Sequence, residues 1–325
     1  MLKLSRRAAL LGAVAMPFVG RAQAQSWPSG IIRIVVPFPP GGSTDAMARL
    51  VQPALQHRLG ATIIIENRTG ASGSIGTAAV AKSPPDGNSW VFVFDTHAVN
   101  PSLLPNIGYD TEKDLDPVLL IGTAPNVLAT QPQRRFRNLT DVIAEAKAKP
   151  NTISCGNVGA GSLGHLTMVL LGKRAGVEMI HIPYRGGGPA VADAIAGHVQ
   201  LIIGSAALIH PQMRAGTLRP IAQTGAKRLT ALADVATVIE SGFENFESYA
   251  WWGVFAPAGT PKPILDRFGG ELAATLREEK IAAQLTETQQ LTLRLDGPEQ
   301  LRAFLANEMR VWGAVVRENN IKGEL

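Results

Sequence analysis

The chain has 325 residues, of which 46% are hydrophobic and 18% charged, with a formal net charge of +5. Length suggests about two domains. The positive balance comes from the leader: Lys3, Arg6, Arg7 and Arg21 all precede residue 25, and without them the charge falls from +5 to +1. With no Lys/Arg block left, nucleic acid and membrane-surface binding lose their electrostatic basis.

Residues 1–24 place those basic residues before and after an apolar stretch from Ala8 to Val19, which ends at a small-residue A-Q-A site at Ala22 to Ala24. This predicts a signal peptide cut after Ala24 and an exported, soluble mature protein. Ser5-Arg6-Arg7 resembles a twin-arginine signal, although Ala9 stands where a large apolar residue is common, so the twin-arginine and general routes both stay open. No later apolar run is long enough to cross a membrane.

Ile31 to Val36 reads as a strand covered on both faces, halted by Pro37, Pro39 and Pro40. Gly41 and Gly42 then permit close backbone approach, and Ser43 or Thr44 can cap the next helix, whose first N–H groups favour an anion. Asp45, in its first turn, reads equally as a cap or as a ligand-water contact. Ile63 to Ile65 forms a second strand, followed by a glycine-rich loop and a short helix before Pro84-Pro85. Trp90 to Phe94 forms a third strand, ending in Asp95-Thr96-His97. Val118 to Gly122 and Val127 to Thr130 read as strands leading into another lobe.

A second strand, loop and helix series follows, with strands at Thr152 to Cys155, Met179 to Pro183, Val199 to Ile203 and Leu218 to Thr224. Helices are expected from Leu139 to Pro150, from His165 to about Arg174, through Ala196, and from Leu208 to Ala215. The last of these strands could lead the chain back. Two amphipathic helices close the chain, and the second shares one apolar face among Leu301, Phe304, Leu305, Met309, Trp312 and Val316. The alternation predicts an α/β fold with mostly parallel sheets and a cleft at the carboxyl ends of the strands.

Gly159 to Gly164 spells GxGxxG, but the following strand ends at Tyr184 rather than at an acidic residue for a ribose, which favours an anion loop with Ser162 as hydroxyl donor over a dinucleotide site. Hydrolase elbows, phosphate loops and metal-spaced histidines are missing, so no cofactor or metal is expected. His97 and His165 sit at strand-to-helix loops and read as structural or as ligand contacts, and Arg185 as a carboxylate counterion or a surface residue. Trp251 and Trp252 read as hinge or core packing rather than a stacking platform. The single cysteine, Cys155, reads as a buried packing residue.

Taken together, VPFPPGGSTDAMAR (36–49), ENRTGASGSIGTAAVAKSPPDG (66–87), THAVNPSL (96–103), GAGSLGHL (159–166), IPYRGGGPAVADAIAGHVQ (182–200) and WGVFAPAGTPKPI (252–264) resemble the substrate-binding receptors of tripartite tricarboxylate transporters, the Bug group. The resemblance implies a two-lobed type II periplasmic binding protein fold, with lobe 1 formed by residues 25–125 and 226–325 and lobe 2 by 126–225. It implies a monomer that captures a small carboxylate without catalysis and delivers it to membrane subunits of such a transporter. Sensing for a membrane signalling protein, or an exported enzyme acting on a small acid, are the alternatives. Carried over, the ligand contacts are Phe38, Gly41, Gly42, Ser43, Thr44 and Asp45 from one side and Tyr184, Arg185, Gly186 and Gly187 from the other. Ser72, Thr96, His97, Gly161, Ser162 and His165 line the rest. Family members often carry an aspartate where Gly204-Ser205 stands here, which removes an ammonium partner and points to an unaminated mono- or dicarboxylate, with Ser205 at the site.

Overall fold

A computed structural model describes residues 27–323; the leader assigned to residues 1–24 lies outside the described residues. The first half alternates as expected: β1 (Ile32–Val36), α1 (Ser43–Leu59), β2 (Ile63–Asn67), α2 (Ser74–Ala81), β3 (Ser89–Phe94) and α3 (Thr96–Leu103). The long β4 (Leu115–Thr130) crosses to α4 (Leu139–Ala148), β5 (Ser154–Asn157), α5 (Leu163–Ala175), β6 (Ile180–Pro183), α6 (Gly187–Ala196), β7 (Leu201–Ser205), α7 (Ala206–Arg214) and β8 (Arg219–Gln223). The chain returns through β9 (Tyr249–Pro257) and ends with α8 (Lys262–Leu276), α9 (Glu279–Ala283), β10 (Thr292–Asp296) and α10 (Pro298–Glu318).

The strands form one curled sheet in the order β2-β1-β3-β9-β4-β7-β5-β6, with β8 and β10 also paired to β4. Its two flanks are parallel, as the strand, loop and helix alternation predicts: β1 runs with β2 and β3, and β5 with β6 and β7. The centre is not. Strands β4, β8, β9 and β10 pair antiparallel, because the chain crosses between the two halves in opposite directions.

The two short strands expected at 118–122 and 127–130 are one strand of 16 residues. Pro117 and Pro125 suggest breaks, since proline cannot donate to a ladder. The strand tolerates Pro117 by shifting register against β9 between Pro117 and Leu119. At Pro125 it ends its pairing with Tyr249 of β9, and from Asn126 it pairs with β7 and β8. Between β8 and β9, Val238 donates its N–H to Gln223 O, and Val238 and Phe246 pack with Leu128, Phe136 and Ile221.

Trp251 and Trp252 are both fully buried on β9 and enter different core clusters, as expected when successive strand residues face opposite sides. Trp252 packs on Phe94 with ring centroids 5.3 Å apart, and Phe94 packs edge-to-face on Phe38, so this core reaches the loop after β1. Cys155 is fully buried on β5, and burial pushes its thiol up to about 12. The thiolate is the reactive form, so the native protein should resist a water-soluble thiol reagent at pH 8 and react fully in urea; rapid native labelling would contradict this packing.

Candidate functional site

The β1–α1 junction builds the first wall. Gly41 has φ +86° and Gly42 is extended, and α1 begins directly at Ser43 with Gly42 as its N-cap. The capping bond expected from Ser43 or Thr44 is not formed, since both are already inside the helix. Asp45 instead braces the loop: its carboxylate accepts the Gly41 N–H at 3.1 Å, Asn67 Nδ2 at 2.9 Å and Arg49 Nε at 3.0 Å. Burial pushes this carboxyl upward, but those hydrogen bonds outweigh burial and hold it below the usual range. Asn67 also donates to Phe38 O, a second brace that the sequence did not single out.

The second wall comes from α6 and α7. Gly186, with φ +139°, is the N-cap of α6, and Ser205 is the N-cap of α7; neither helix start carries a side-chain capping bond. The facing loops touch. A Cβ on Gly41 would lie 3.9 Å from Gly188 Cα, one on Gly186 2.8 Å from Pro39 Cδ, and one on Gly188 2.9 Å from Pro40 O. The missing side chains at Gly186 and Gly188 leave room for this approach.

Between the walls lie two adjacent spaces. An inner cavity of about 20 Å³ is lined by Gly42, Ser43, Thr44, Gly186, Gly187 and Ser205, with Phe38, Phe94, Val158 and Leu208 as its apolar side. The Ser205 hydroxyl is buried here without a partner. An outer cleft of about 420 Å³ opens beyond Phe38 and Val158, which wall both spaces, and is bounded by Pro37, residues 69–73, Ile75, Gly159, Ala160 and residues 183–185. Ser72, Tyr184 and Arg185 therefore line the outer cleft, and Gly41 and Asp45 support the inner cavity from behind.

Gly70, Ala71, Ser72 and Gly73 all have positive φ, which is strained for Ala71 and Ser72. Three hydrogen bonds hold Ser72 there: its hydroxyl donates to Ala160 O across the cleft, and its carbonyl accepts from Thr96 Oγ1 and Asn100 Nδ2. Thr96 thus acts through Ser72 rather than on the cleft. His97 is also withdrawn, stacked on Tyr109 and tilted against Phe255, and burial lowers its pKa to about 3.

The GxGxxG loop divides between the cleft and the core. Gly159 and Ala160 line the outer cleft, while a Cβ on Gly161 would strike Leu103 at 2.4 Å. Ser162 caps α5 by accepting the His165 N–H, His165 Nδ1 accepts the Gly161 N–H, and Asp95 accepts the Leu163 N–H. The N–H groups at the α5 start are therefore already met by the protein's own Asp95 carboxyl and Ser162 hydroxyl oxygens, and Gly161, Ser162 and His165 sit behind the wall. Burial, with His181 nearby, lowers the His165 pKa to about 4, so the ring is neutral. Among the described residues no cluster of His, Cys, Asp or Glu suits a metal ion, and no helix is long and apolar enough to cross a membrane.

Residues 47–321 match the model of the tripartite tricarboxylate transporter family receptor. The chain belongs to that family. The receptor is 37% identical over 301 residues to protein BugT of Bordetella pertussis, covering 92% of each chain. Its fold matches that of R. palustris Rpa4515, solved with adipate, at a TM-score of 0.87 and 32% identity over 92% of this chain and all of that one. It also matches MatC from Rhodopseudomonas palustris with bound malate, at a TM-score of 0.82 and 29% identity over 89% of this chain and 99% of that one. The fold is thus that of two-lobed periplasmic solute-binding proteins, as the sequence motifs imply.

Proposed function

We propose that the receptor captures a small carboxylate between its lobes in the periplasm and hands it, chemically unchanged, to the membrane subunits of a tripartite tricarboxylate-type transporter. The observation that carries this reading is the convergence of the α1, α6 and α7 starts, none with a side-chain cap, on one cavity that also holds the unpartnered Ser205 hydroxyl. Unpaired N–H groups at helix starts stabilise an anion, and a hydroxyl can donate to it. The absence of an acidic side chain at Ser205 supports an unaminated acid. Relatives solved with adipate and malate support the same ligand class.

The switch of β4 partners at Pro125 and Asn126, and the packing of the segment before β9, support a division into lobe 1 (25–125 and 249–325) and lobe 2 (126–248). Export under the residue 1–24 leader and action as a monomer complete the proposal. Thermal-shift screening of the mature protein against a carboxylate library tests it. A ligand at about 100 times its Kd should add roughly 2.7 kcal/mol of stability. The ligand should be recovered intact, and lobe closure should be visible by small-angle scattering. Turnover of the ligand, or no response to any acid, would remove the proposal.

A further inference from the structure

The two spaces of the site differ in what they can hold. The inner cavity of about 20 Å³ is close to the room needed by one water, so it can take one carboxylate oxygen and little more. The remainder of any ligand must lie in the outer cleft of about 420 Å³, past Phe38 and Val158.

The side chains facing that cleft are mostly apolar, and of its polar ones Thr69 and Arg185 are exposed while Ser72 and Tyr184 are engaged inside the protein. Ser72 Oγ donates to Ala160 O at 2.7 Å, and Tyr184 OH donates to Asp193 Oδ2 at 2.7 Å. Asp193 also pairs with His198 at 3.2 Å, and these bonds keep its carboxyl below the usual range, leaving a fixed negative charge behind Tyr184. A second carboxylate in the cleft would find no free hydroxyl on Ser72 or Tyr184. It would gain only Arg185 and the Thr69 hydroxyl, both at exposed positions where such contacts are weak. By contrast Phe38, Val158, Pro183 and the Tyr184 ring offer apolar surface. Ile75 extends that surface to the rim, where it is 49% exposed.

Resting on the carboxylate reading above, we infer that the ligand is a monocarboxylate with an apolar, ring-sized body, its head at the α1, α6 and α7 starts and its body against Phe38, Ile75, Val158 and Tyr184. Ile75 is then a specificity-determining residue. Burying apolar surface there favours such a body, and the cleft gives a second charge nothing equal in return.

Calorimetric titration with acetate, hexanoate, cyclohexanecarboxylate, benzoate and adipate tests this. Hexanoate and adipate share a chain length and differ at the far end. Hexanoate and the two ring acids should bind at least tenfold tighter than adipate. Ile75→Asp, an exposed change in the first turn of α2 where an acid suits the helix start, should weaken the ring acids about tenfold and leave acetate unchanged. Adipate binding as tightly as hexanoate, or ring acids indifferent to Ile75→Asp, would overturn the inference while leaving carboxylate capture standing. Failure of all five acids to bind would overturn both.

Discussion

Gly188→Val should abolish ligand capture while leaving the fold intact. Gly188 lies in the first turn of α6, where valine has an allowed backbone, but its Cβ would sit 2.9 Å from Pro40 O of the facing loop and its branches nearer still. The clash exists only when the two lobes meet. A ligand that stabilises the closed form must then work against it, and the expected loss of affinity is about 100-fold or more, on the order of 3 kcal/mol. Gly42→Ala makes the contrast, since a Cβ there meets Gly187 N at 3.7 Å, an ordinary contact, and alanine should cost far less. Gly42→Val, whose branches reach further, should behave more like the Gly188 variant. Calorimetry with any acid found in the screen, alongside a melting curve, measures both effects. Near-normal affinity in Gly188→Val would mean that capture does not use this closure.

Glu308→Gln should stabilise the protein above neutral pH and alter its pH profile. Glu308 on α10 accepts Trp312 Nε1 at 3.0 Å, and burial pushes its carboxyl up to about 7. Its charge also raises Asp95, which is fully buried and for which burial is the larger cause. A carboxyl whose folded pKa lies above its unfolded value holds more protons folded than unfolded. Wild-type stability should therefore fall as pH rises from about 4.5 to about 7, and stay lower above that. Allowing for partial solvent screening, the loss is on the order of 1 to 3 kcal/mol. Glutamine keeps an acceptor for Trp312 without a charge. The variant should match wild type near pH 4.5 and exceed it at pH 8 by that amount in urea unfolding. A difference that does not change with pH would show that the charge of Glu308 carries no cost in the folded state.

The strand-to-loop-to-helix junctions were legible because they are local. A β-branched run, a proline stop, paired glycines and a helical pattern within 20 residues describe β1 to α1, and similar signals mark β5 to α7. Other elements were hidden by misleading local chemistry. Pro101 and Asn100 obscured α3, and Pro117 and Pro125 divided β4 on paper where a register shift and a change of partner keep it whole. Tyr249 to Pro257 lacks the alternation of a half-exposed strand because all but its first residue are buried, so its two tryptophans read as a hinge or core packing and not as part of β9.

By itself the sequence determined the α/β class, the glycine loops that approach a ligand, the family and the buried state of Cys155, since each is written in neighbouring residues. Tertiary structure alone decided which loop residues face the site. Ser72 reaches Ala160 across 88 positions and Asp95 reaches Leu163 across 68. Thr96 is tied to the Ser72 carbonyl, His97 packs on Tyr109 and Phe255, and Ser162 and His165 bond within their own loop, while Ser205 stays unpartnered at the site. A helix start or a hydroxyl binds a ligand only if no protein group has already satisfied it, and that depends on what the fold brings within hydrogen-bond distance.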